Sequence, residues 1–209
     1  MEKLPVAFDL QEFRRPLQSF NRWKSSRKVT PATSVDCEEP QIPKALYSVE
    51  QLDRHARSLA GSDSVKSKVS RFSFDPLLGC LSKNQAVLAK AYKLVTQAVT
   101  HGRRITPAAE WFLDNYPLIE EQIRTARRDL PSGYSRELPR LNSGEWTGYP
   151  RVYIIAQELI AHVDGRVDAQ SLLAFVAAYQ SEKQLTLGEL WAIPIMLRLA
   201  LLENLRLVV

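Results

Sequence analysis

A hydroxyl side chain followed three residues later by Gln or Glu recurs along this chain, at Ser48–Gln51, Ser82–Gln85 and Thr186–Glu189. At that spacing the hydroxyl accepts from one free N–H at a helix start while the longer side chain reaches back to another. Each pair therefore predicts a helix N-terminus. Thr106-Pro107 adds a fourth start, a hydroxyl cap followed by proline where its missing N–H costs nothing, and Asp168 adds a fifth. Behind these signals, apolar residues repeat every three to four positions. Val87, Leu88, Ala91, Val95 and Ala98 define one face of a helix ending near His101-Gly102, and Phe112, Ile119, Ile123 and Ala126 define the next. Pro117 predicts a kink or break near Tyr116, and Pro194 a kink in the last helix. Three further helices are expected at about Arg151–Val163, Ala169–Glu182 and Leu187–Leu207, with a long loop from Asp129 to Tyr149. No strand-like alternation competes. The fold class is all-α, an irregular bundle of about five to six helices.

Proline divides the chain. Pro5, Pro16, Pro31, Pro40 and Pro43 leave no room for a long helix, so residues 1–47 are expected to form a flexible basic arm and residues 48–209 the helical domain. The net charge is +5, and within that arm the stretch from Phe13 to Val35 carries Arg14, Arg15, Arg22, Lys24, Arg27 and Lys28 without an acid. Interleaved with Phe13, Phe20 and Trp23, these cations suit an anionic membrane surface. Nucleic acid is the weaker partner for so small a charge excess, although a free-standing interaction protein using the arm on either surface is the alternative reading. No secretory signal and no uninterrupted apolar stretch of membrane-spanning length are present, which points to the cytoplasm.

Motifs that carry chemistry are scarce. The chain has no phosphate-cradling glycine loop, no nucleophile elbow and no pair of metal-holding aspartates, so no catalytic residue and no cofactor is expected. Cys37 and Cys80 read as reduced thiols. Glu158 and His162 stand four apart on an expected helix, a spacing that can share a metal, but two ligands are too few and a structural pair is the expected role. His55 and His101 fall near expected helix ends. Arg136, Arg140 and Arg151 could form an anion-binding site, since guanidinium forks match phosphate and carboxylate. Glu120, Glu121, Asp129 and Glu137 in the same stretch favour a structural network instead.

The last expected helix is apolar on more of its circumference than one buried stripe requires. Met196, Leu201 and Leu205 are therefore expected on a docking surface, met by another domain or by self-association.

Several segments from Ile105 onward resemble one family. They are Ala109-Glu110-Trp111-Phe112-Leu113-Asp114-Asn115-Tyr116, Ile119-Glu120-Glu121-Gln122-Ile123-Arg124, Arg128-Asp129-Leu130-Pro131-Ser132-Gly133-Tyr134 and Arg136-Glu137-Leu138-Pro139. Gly148-Tyr149-Pro150-Arg151-Val152-Tyr153 and Leu185-Thr186-Leu187-Gly188-Glu189-Leu190-Trp191-Ala192-Ile193-Pro194 follow in order. Across roughly Ile105–Arg206 the chain resembles the N-terminal region of bacterial cyclic β-1,2-glucan synthases. That resemblance implies a large inner-membrane glycosyltransferase that makes cyclic glucan from UDP-glucose, with a transferase domain and a phosphorylase-like domain further along. It carries over no catalytic residue, because none of the catalytic motifs is present. The chain is thus expected to be a non-catalytic helical module, or a truncated product or gene remnant covering it, whose partners are the remaining domains of the parent synthase.

Overall fold

A computed structural model describes residues 45–66, 76–130, 134–163 and 165–209. Residues 1–44 of the expected arm, Cys37 among them, and the Arg136 side chain lie outside the described residues.

Six helices of twelve residues or more build the domain. They are α1 (Val49–Ser62), α2 (Pro76–Thr100), α3 (Pro107–Asp129), α5 (Arg151–His162), α6 (Ala169–Glu182) and α7 (Leu187–Val208). A one-turn helix, α4 (Tyr134–Glu137), interrupts the long loop. Two-residue strands β1 (Val65–Lys66) and β2 (Arg140–Leu141) pair antiparallel, with Val65 opposite Leu141 and Lys66 opposite Arg140. The all-α expectation holds.

The caps explain most of the boundaries. Ser48 and Gln51 form a complete capping box on α1, as do Thr186 and Glu189 on α7. Thr106 accepts from the Ala109 N–H at 3.2 Å, and Asp168 Oδ1 from the Ser171 N–H at 2.8 Å. The start expected at Ser82 is a correction. Helix α2 begins at Pro76, six residues earlier, and the Ser82 hydroxyl donates back to the Leu78 carbonyl within the helix at 2.9 Å. Burial decides the matter: Leu77, Cys80, Leu81, Asn84 and Leu88 share one buried face, so the first turn is held by packing. Val87, expected on that face, is exposed instead.

Proline does not break either helix that contains it in its interior. Helices α3 and α7 run on through Pro117 and Pro194. Proline removes one hydrogen bond and crowds the carbonyl four residues back. On α3 the neighbours Tyr116 and Ile119 are both buried, and on α7 so are Ala192, Met196 and Leu197. Each large side chain buried in this way contributes roughly 1.5–3 kcal/mol, enough to hold a helix across the defect.

One core runs through the domain. Helix α1 packs on α6, and α5 and α7 pack together, while α2 and α3 close over the far side of α7. This arrangement explains why α7 is apolar nearly all round: α5, α2 and α3 each cover part of it. The loop between β2 and α5 is closed by Leu141 N–H to the Tyr149 carbonyl at 3.0 Å and Gly148 N–H to the Leu141 carbonyl at 2.8 Å. Gly148 adopts φ of 90°, a conformation that any residue with a Cβ strongly resists. None of the described helices is long and apolar enough to cross a membrane.

Candidate functional site

Two of the three arginines expected to form an anion site are enclosed. Arg151, at the start of α5, is 5% exposed. Its Nε donates to Glu189 Oε1 at 2.5 Å and its Nη2 to Glu189 Oε2 at 2.8 Å, a bidentate pair with a fully buried carboxylate. The same Nη2 donates to the Gln184 carbonyl at 2.8 Å. Burial works against the Arg151 charge, and the Glu189 carboxylate outweighs it, so the guanidinium pKa is raised. Arg140, equally buried, donates to the Gly148 carbonyl at 3.1 Å and the Ser135 carbonyl at 3.4 Å. Neither guanidinium is presented to an external anion: their donors tie the β2–α5 loop to the body. Tyr134 joins the same tie, its hydroxyl donating to the Gly188 carbonyl at 3.3 Å.

Around this pair lies a longer polar seam. The Arg151 guanidinium sits 5.9 Å from the centre of the Tyr179 ring, and the Tyr179 hydroxyl donates to Asp63 Oδ2 at 2.5 Å. Burial raises the Asp63 pKa, although the Tyr179 hydrogen bond and the Lys183 charge oppose the shift. Lys183 Nζ donates to the backbone carbonyl of Asp63. The seam joins α1, α5, α6 and α7 by polar contacts that the apolar core alone would not specify.

The docking surface expected on α7 is also redrawn. Met196, Leu201 and Leu205 are buried in the domain's own core, because α5, α2 and α3 cover that length of the helix. The large apolar side chains that α7 leaves exposed are Leu187, Trp191 and Leu207, with Val209 just beyond it.

A third cluster gathers residues that sequence spacing leaves apart. Glu158 and His162 lie one turn apart on α5, and His55 of α1 completes the group. His55 Nε2 is 2.9 Å from Glu158 Oε2, and His162 Nε2 is 3.5 Å from the same oxygen. His162 Nδ1 lies 2.9 Å from the Ala45 carbonyl, and the Tyr47 N–H donates to the His162 carbonyl at 3.1 Å. The Tyr47 ring stacks on the His162 ring with centroids 3.8 Å apart and planes 9° from parallel. His55 is far from either end of α1, which corrects its expected place at a helix end. The sequence signal for Glu158 and His162 was their spacing; for His55 there was none, since 103 residues separate it from Glu158.

What class of protein these features define is a helical domain in which buried polar ties such as Arg151–Glu189 supplement the apolar core. No protein-family model matches the chain. Over 124 residues, 59% of its length, the chain is 41% identical to the cyclic beta-(1,2)-glucan synthase NdvB of Rhizobium meliloti (strain 1021). That stretch spans 4% of the synthase. The expected resemblance to a cyclic β-1,2-glucan synthase is thus found, as a partial match.

Proposed function

We propose that this chain acts as a non-catalytic helical module of the kind a cyclic β-1,2-glucan synthase carries, contributing packing surface to a larger enzyme. The observation that carries the reading is the 41% identity over 124 residues to a protein more than twenty times longer than that stretch, which spans 4% of it. Side-chain use supports it as well. Arg140 and Arg151, the residues best suited to grip a phosphate, spend their hydrogen bonds inside the domain. On this reading the remaining domains of the synthase supply the glucosyl transfer and are the module's partners. Its place is then the cytoplasmic face of the inner membrane.

Incubation of the purified chain with labelled UDP-glucose and magnesium or manganese tests the absence of chemistry. No label is expected in glucan or in free glucose. Robust transfer that disappears on Glu137→Ala, a change at an exposed residue of α4, would overturn the proposal in favour of an enzyme.

A further inference from the structure

We propose that His55, Glu158 and His162 form a binding site for one borderline divalent transition-metal ion, of which zinc is the representative, stapling α1 to α5. Their candidate donor atoms all lie within 4.8 Å of one another. Zinc bonds of ~2.0–2.1 Å at tetrahedral angles place neighbouring donors about 3.3–3.4 Å apart. The observed 2.9 Å and 3.5 Å from Glu158 Oε2 to the two imidazole nitrogens bracket that spacing, so only tenths of an ångström of adjustment are needed there.

The surroundings orient these ligands. A backbone carbonyl can only accept, so the 2.9 Å contact between Ala45 O and His162 Nδ1 assigns the proton to Nδ1 and turns the lone pair of Nε2 toward Glu158. Imidazole ligands are commonly fixed in this way by a partner on the other ring nitrogen. Stacked Tyr47 holds the His162 plane, and Tyr47 also meets His55 edge-on at 5.5 Å between ring centres. His162 is 1% exposed, Glu158 13% and His55 25%, so the cluster opens to solvent on the His55 side. A water entering there would complete four-coordination.

Ligand chemistry selects the ion. Two imidazoles and one carboxylate suit zinc and its neighbours, whereas calcium and magnesium prefer all-oxygen shells. The two histidines bind as neutral ligands and the carboxylate as an anion, so a proton on His55 Nε2 must leave that nitrogen, to Nδ1 or to solvent, when the ion takes its lone pair. The ion would join the segment Ala45–Tyr47, α1 and α5, beside the aromatic ring of Phe175 on α6, 6.2 Å from His55.

The test uses the full chain, stripped with a chelator and titrated with zinc alone, read by calorimetry and by thermal unfolding. A single saturable ion per chain and a rise in melting temperature reversed by chelator are expected. With cobalt(II) in place of zinc, a visible band of tetrahedral intensity should develop to the same endpoint. Because His162 is buried and its replacement could unfold the domain, the decisive variants are His55→Ala and Glu158→Gln, with circular dichroism confirming their helix content. Each should weaken zinc binding by more than the ~10–100-fold that losing an orienting partner costs. His101→Ala, at an exposed histidine beyond α2, should leave it unchanged. No saturable uptake by the wild-type chain, or uptake undiminished in folded His55→Ala and Glu158→Gln, would overturn the proposal.

Discussion

Replacing Arg151 with alanine is expected to destabilise the domain by about 3–5 kcal/mol, because it leaves the Glu189 carboxylate buried without its counter-charge. For a domain of this size that loss lowers the melting temperature by roughly 6–20 °C. Arg151→Lys should recover little, since an ammonium cannot reproduce two parallel N–H donors to Glu189 and a third contact to Gln184. Combining Arg151→Met with Glu189→Gln should be milder than Arg151→Ala, as no charge is then left in the core, and the amide oxygen can still serve the α7 cap. Thermal unfolding followed by circular dichroism at neutral pH measures all three. A folded Arg151→Ala protein with an unchanged melting temperature would show that the pair is not structural and would revive the anion-site reading of Arg151.

Tyr153→Ala is expected to have an effect of the same order, ~3–5 kcal/mol, because a large, fully buried ring is removed from between α5 and α7. Part of that loss is electrostatic and depends on pH. The Tyr153 hydroxyl donates to Glu203 Oε2, which also receives Gln157 Nε2 at 2.9 Å. Burial raises the Glu203 pKa, with Tyr153, Arg206 and Gln157 opposing the shift. A carboxyl whose folded pKa exceeds its unfolded value binds more protons when folded. Its contribution to stability is therefore complete below the unfolded pKa and is lost as pH rises through the folded one. Tyr153→Phe removes one of the donors that hold the anion, so its cost of about 1–3 kcal/mol at neutral pH should shrink as pH falls and Glu203 takes up its proton. Urea unfolding of wild type and Tyr153→Phe across mildly acidic to neutral pH reads this directly. A gap between the two that is independent of pH would contradict the role assigned to Glu203.

Local grammar carried most of the fold. Ser48–Gln51, Thr106-Pro107, Asp168 and Thr186–Glu189 mark helix starts by short-range hydrogen bonding, and such signals survive folding intact. Ser82–Gln85 has the same pattern and misleads, because packing of Leu77 and Leu81 extends α2 past it. There Gln85 serves a different role, accepting from Arg127 of α3 at 2.9 Å. The sites were less legible for the same reason. Glu189 could be read as a cap, but its second role as partner of Arg151 spans 38 residues and depends on how α5 meets α7. Helix α7 shows the limit in apolar terms. Its composition says that it must be covered on several sides, and says nothing of whether its own domain or another provides the cover. Met196, Leu201 and Leu205 are covered from within.

The most direct measurement is cyclic glucan synthesis by the Rhizobium meliloti synthase lacking the 124 residues that match this chain, with and without the corresponding segment of this chain grafted in their place. Deletion is expected to abolish synthesis or the accumulation of folded enzyme, and the graft is expected to restore both. A deletion variant that accumulates normally and makes cyclic glucan at the full rate would contradict the account.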